Sequence, residues 1–86
     1  MILIDVGNTN IVFAVSANNL LKKRKRIKTN QDKNKLKKSI NKIIIDFVLT
    51  NRLDNDNIAI ISSVVPNLNL LIKNVLKKNS IKGFLI

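Results

Sequence analysis

MILIDVGNTNIVFAV, residues Met1–Val15, decides how the rest of the chain is read. Two apolar runs, Ile2–Ile4 and Ile11–Val15, flank an aspartate and the turn Gly7-Asn8-Thr9-Asn10. Gly and Asn tolerate the positive φ of tight hairpins, so one reading is a plain hairpin whose Asp5 caps its own turn. The other is a loop that holds phosphate. Gly7 lets the backbone approach an anion closely. The N–H groups of Asn8, Thr9 and Asn10, with their side chains, are suitable donors to phosphate oxygens. Under this second reading Asp5 also has a role. A carboxylate near the end of a buried strand is costly unless compensated. A hydrated Mg²⁺ on a nucleotide phosphate compensates it, because that ion takes oxygen ligands and keeps several waters. The loop is not a Walker motif: it lacks Gly-x-x-x-x-Gly-Lys-Ser/Thr, and no helix follows it directly. On this stretch alone the plain hairpin is the more economical reading, since short Gly/Asn turns are common.

Outward from the hairpin, the pattern predicts strands at Ile2–Val6, Ile11–Ser16 and Leu20–Thr29, with a turn at Ala17-Asn18-Asn19. The third strand is polar for most of its length and is expected to be exposed. After a polar loop at Asn30–Asn34, the apolar residues Leu36, Ile40, Ile43, Ile44, Phe47 and Val48 fall on one helical stripe. About 16 residues of helix extend ~24 Å, enough to cross a sheet. A polar break spans Asn51–Asp56. The run Ile58–Ile61 is apolar at every position, as in a parallel strand covered on both faces. Ser62-Ser63-Val64-Val65-Pro66 reads as a connector, with Pro66 suited to a helix start. A second helix is expected from about Asn67 to Asn79, with Leu68, Leu71, Ile72, Val75 and Leu76 inward and Lys77 and Lys78 in its last turn. Ile81–Ile86 reads as a final strand. The predicted order is β-β-β-α-β-α-β, a mixed α/β sheet with packed helices and no internal repeat or linker.

The 86 residues contain no cysteine and no histidine. Disulfides, thiolate metal sites, the usual general base and the usual zinc ligand are therefore excluded. Asp5 interrupts any secretory signal core, and no apolar run approaches the ~18 residues of a membrane span. A cytoplasmic protein is the expectation. The net charge of +11 raises the alternative of a basic nucleic-acid-binding domain. Three features weigh against it. Trp and Tyr are absent and only Phe13, Phe47 and Phe84 are aromatic, so stacking platforms are scarce. Lys, Asn and Ile share A- and T-rich codons, so composition alone can generate the charge. The lysines are also spread over several elements. The run Lys22–Lys28 is read as a solvated strand face rather than a localisation signal or a nucleic-acid patch.

MILIDVGNTNIVFAV resembles the first phosphate motif of type III pantothenate kinases, members of the actin-like and sugar-kinase (ribonuclease H-like) fold group. Leu20-Leu21 followed by Arg26-Ile27-Lys28-Thr29 resembles that family's third strand. Ile58–Asn69 (IAIISSVVPNLN) resembles its Ile-Ser-Ser-Val-Val-Pro strand-to-helix segment. The motifs occur in the family's order, and the similarity covers essentially the whole chain. It implies that Asp5, Val6, Gly7, Asn8, Thr9, Asn10, Ile11 and Val12 form the ATP-phosphate loop, with Asp5 facing Mg²⁺ through water. Ser62 and Ser63 then lie at the strand end where open α/β sheets place ligands, although a helix-entry turn is their simpler role. The resemblance further implies ATP and pantothenate as substrates, a monovalent cation (K⁺ or NH₄⁺) and a homodimer.

Relatives in that family are longer. They carry a Gly-Ala-Asp-Arg segment, whose Asp resembles a general base, and a second phosphate motif, Asp-x-Gly-Thr. Neither occurs here, and Asp32, Asp46, Asp54 and Asp56 match no such motif. The expectation is an incomplete N-terminal lobe of a two-lobed kinase, inactive alone, with an apolar face where the second lobe would dock. A non-catalytic relic or partner of the same fold is the further alternative.

Overall fold

Alternation in the first hairpin sets the architecture. In Ile2–Val6 (β1) the side chains of Ile2, Ile4 and Val6 are buried, while Leu3 is half-buried and Asp5 exposed. In Asn10–Ala17 (β2), Ile11, Phe13 and Val15 are buried on the same side. The computed structural model describes residues 1–18, 20–51 and 57–86. Within them follow Leu20–Lys28 (β3), Lys33–Asn51 (α1), Ile58–Ser63 (β4), Pro66–Lys78 (α2) and Lys82–Leu85 (β5). The expected turn residue Asn19 and most of the polar break, Arg52 to Asp56, lie outside the described residues.

The strands form one sheet in the order β3-β2-β1-β4-β5. β1 is antiparallel to β2, and β2 to β3. β4 is parallel to both β1 and β5. The crossovers through α1 and α2 both step the same way across the sheet, so a common right hand puts both helices on one face. There Leu36, Ile40, Ile44 and Phe47 of α1 and Leu68, Ile72, Val75 and Leu76 of α2 close over the buried side chains of β1, β2 and β4. Asn79 Nδ2 ties the helices together by donating to Asn41 Oδ1 (2.9 Å). Gly83 allows α2 to sit down on β5, since a Cβ there would lie 2.9 Å from Leu76 Cδ1.

The predicted element order is the observed one, and its departures have physical causes. β4 continues through Ser62 and Ser63, which pair with Asp5 and Val6, so these serines belong to the strand and not to a connector. β4 is also covered on one face only. Ala59 and Ile61 are buried under the helices, whereas Ile58 and Ile60 are half-exposed. An uninterrupted apolar run reports what a strand is able to bury, not what covers it. α1 begins earlier than expected because Asp32 caps it, its carboxylate accepting the Lys35 N–H (3.3 Å). The face opposite the helices carries Leu3, Val12, Ala14, Ile60 and the exposed Phe84, with no element packed on it among the described residues. No described helix is long and apolar enough to cross a membrane.

Candidate functional site

The β1–β2 hairpin projects from the end of the sheet where β1 and β4 terminate and α2 begins. Val64 N–H donates to the Val6 carbonyl (3.0 Å), which brings the entry to α2 beside the hairpin. Ser63 Oγ accepts the Val65 N–H (3.1 Å), so Ser63 shapes that entry as its simpler role anticipated. Ser62 stands directly opposite Asp5, and both are exposed on the open face.

The hairpin closes with one backbone bond, from Gly7 N–H to the Asn10 carbonyl (2.9 Å). The N–H groups of Asn8 and Thr9 have no acceptor among the described residues, and both residues are exposed. None of Gly7, Asn8, Thr9 or Asn10 has positive φ, contrary to the turn chemistry expected from Gly and Asn. Glycine at position 7 answers to space instead, because a Cβ there would lie 3.1 Å from the Asn10 carbonyl oxygen.

The premise that Asp5 is a buried carboxylate is not met. Period-2 alternation turns it away from the core, to the open face, so no desolvation penalty requires a counter-ion. Nor does it cap its own turn: it makes no hydrogen bond or ion pair among the described residues. The other described acids are engaged. Asp32 caps α1, and Asp46 pairs with Lys23 across α1 and β3. Asp54 and Asp56 fall outside the described residues. Asp5 is thus the described aspartate left free, beside a turn whose Asn8 and Thr9 N–H donors are also free. No cluster of three or more metal-ligating acids exists among the described residues. A lone exposed carboxylate fits an ion held mainly by phosphate and water, as Mg²⁺ is, and does not fit an all-protein cage.

The other sequence-derived residues divide by face. Val6 and Ile11 are fully buried in the helix-side core, so their side chains frame the hairpin without reaching a ligand. Val12 is half-buried on the open face, opposite Asp5. The register also brings in residues that sequence reasoning did not assign to the site. Arg26 stands opposite Val12 and Lys28 opposite Asn10, which puts two cations on the open face next to the loop. Thr29, just past β3, is buried. Its Oγ1 donates to the Gly7 carbonyl (2.7 Å) and its N–H to the Thr9 carbonyl (2.9 Å). Alternation along β3 was the available signal for Arg26 and Lys28. Thr29 had none, because its contact spans 22 positions.

This topology defines a ribonuclease H-like α/β fold. The structure titled "Thermus thermophilus RuvC structure" matches it with a TM-score of 0.64 at 10% identity, covering 100% of this chain and 63% of that chain. Likeness at that identity concerns the fold alone, and this chain spans less than two thirds of that one. The family model for type III pantothenate kinase matches residues 1–85, and the chain belongs to that family. No curated protein matches it.

Proposed function

We propose that the Gly7–Asn10 hairpin is an ATP-phosphate cradle, and that the whole protein transfers the γ-phosphate of ATP to pantothenate, giving 4'-phosphopantothenate, the first step of coenzyme A biosynthesis. The observation that carries this reading is the pairing of unoccupied N–H donors at Asn8 and Thr9 with the free carboxylate of Asp5. Membership of the family supplies the reaction class.

In this reading Asn8, Thr9 and Asn10 bind phosphate oxygens, while Val6, Ile11 and Val12 hold the cradle's shape. Asp5 accepts from water on Mg²⁺. When bound, that ion neutralises charge on the phosphates. Arg26 and Lys28 add positive potential on the same face, where it favours an approaching polyanion. Positioning and charge neutralisation account for most catalysis in phosphoryl transfer. The K⁺ or NH₄⁺ requirement and the homodimer follow from family kinship, and no residue of this chain is assigned to either. A cytoplasmic location belongs to the same reading. The chain alone binds nucleotide weakly and does not turn over pantothenate, because it lacks Gly-Ala-Asp-Arg and Asp-x-Gly-Thr.

Titration of the isotope-labelled chain with Mg·ATP tests the cradle. The amides of Gly7 to Asn10 are expected to shift, with a Kd on the order of 1 mM. Shifts confined to the lysine-rich surfaces, or tighter binding of an oligonucleotide with a steep salt slope, would overturn the reading in favour of a nucleic-acid module.

A further inference from the structure

We infer that Thr29 is a positioning residue that holds the hairpin open, so that Asn10 N–H joins those of Asn8 and Thr9 in facing an anion. The inference rests on the phosphate-cradle reading and goes beyond it, because it says what keeps the donors available.

The ladder supplies the argument. β1 and β2 are in register through Val6↔Ile11, which makes Gly7 and Asn10 the next facing pair toward the turn. Facing residues at such a position in an antiparallel ladder normally exchange two bonds. Here only one forms, from Gly7 N–H to the Asn10 carbonyl (2.9 Å); no return bond from Asn10 N–H to the Gly7 carbonyl is made. That carbonyl instead accepts Thr29 Oγ1 at 2.7 Å. A second tie, Thr29 N–H to the Thr9 carbonyl (2.9 Å), fixes the far side of the turn to the end of β3. Thr29 is 9% exposed and is the only described polar residue that is buried. Its hydroxyl therefore lies within the structure, committed to the loop and not to solvent.

The two ties are separable. A substitution at Thr29 leaves its N–H in place, so loss of the hydroxyl tests the Gly7 contact alone. A carbonyl oxygen has two lone pairs, so the hydroxyl acts by holding the Gly7 carbonyl toward Thr29 and not by filling it; without that pull the carbonyl is free to turn and accept the Asn10 N–H. The hairpin then closes in the ordinary two-bond form and the cradle loses a donor. Thr29→Val keeps the shape of the side chain and removes the donor; Thr29→Ser keeps the donor.

Amide hydrogen exchange without ligand is the first readout. In the wild type, Asn10 is expected to exchange within about tenfold of Asn8 and Thr9. In Thr29→Val it is expected to slow by at least about tenfold, and in Thr29→Ser to stay fast. The second readout is binding of Mg²⁺ with inorganic tripolyphosphate. It is expected to weaken about tenfold in Thr29→Val and to be retained in Thr29→Ser. Circular dichroism checks that each variant is folded. A wild-type Asn10 amide that is already strongly protected overturns the inference, whether or not any variant folds. So does a Thr29→Val protein that keeps wild-type exchange and affinity. If the exchange pattern holds but the wild type does not bind Mg·tripolyphosphate or Mg·ATP, the cradle reading fails instead, and the role of Thr29 toward an anion fails with it.

Discussion

Replacing Asp5 by Asn separates a metal-facing carboxylate from a structural one, because the two roles predict opposite responses to Mg²⁺. Asp5 is exposed and its side chain makes no hydrogen bond or ion pair among the described residues, so Asp5→Asn is expected to change stability by no more than about 0.5 kcal/mol. For Mg·ATP, the variant loses a charged acceptor for metal-bound water. Charge-assisted hydrogen bonds contribute about 1.5–3 kcal/mol, so affinity is expected to fall roughly tenfold to hundredfold. Without metal the sign reverses. The wild-type carboxylate then repels the bare triphosphate. At a separation of about 7 Å through water, one pair of unit charges costs about 0.6 kcal/mol, or roughly threefold in affinity. Metal-free ATP is therefore expected to bind Asp5→Asn better than it binds the wild type. Calorimetric titration at low ionic strength, once with Mg²⁺ and once with a chelator, measures both. Equal loss of affinity in the two conditions would refute the reasoning and make Asp5 a structural part of the loop. No change in either would remove it from the site.

Gly7→Ala is expected to lower the urea midpoint modestly, by the equivalent of about 1 kcal/mol, because position 7 does not need positive φ but the new Cβ crowds the Asn10 carbonyl, at 3.1 Å. The same contact pushes on the hairpin's closing bond, so Mg·ATP affinity is expected to fall; unaltered affinity would count against a close fit of backbone to phosphate. Phe47→Ala, in the centre of the α1 face, is expected to cost about 3–5 kcal/mol. That is a large share of the roughly 4–13 kcal/mol available to a chain of 86 residues, and urea denaturation followed by circular dichroism measures it.

The order of elements was legible because each carries its own period. The stripe from Leu36 to Val48 spells a helix, and the short apolar runs Ile2–Ile4 and Ile11–Val15 on either side of a turn spell two strands. What pairs with what is less local. Ser62 and Ser63 look like loop residues, and only the ladder to Asp5 and Val6 makes them strand. The candidate loop was legible from GNTN and its neighbouring Asp5, helped by family resemblance, but the burial argument for Asp5 was wrong in sign. Applying the two-residue period to ILIDV would have separated Leu3 and Asp5 from Ile2, Ile4 and Val6. Thr29 reaches the loop only because β2 and β3 bring the end of one strand beside the start of another, and no local pattern announces such a meeting.

The alternation that stabilises the sheet also positions the chemistry. Ile2, Ile4 and Val6 anchor β1 under the helices, and this fixes Leu3 and Asp5 on the opposite face. A slip of one residue in β1 would exchange the two sets. It would drive the Asp5 carboxylate into the aliphatic core against Phe13 and Ile61 and leave Ile4 in solvent, a state disfavoured on both counts. The register of the hairpin is thus held by the core, not by the turn, whose single closing bond is too weak to set it. That division leaves the turn free to keep unpaired donors. A loop that had to specify its own register would need the bonds that this one leaves for a ligand.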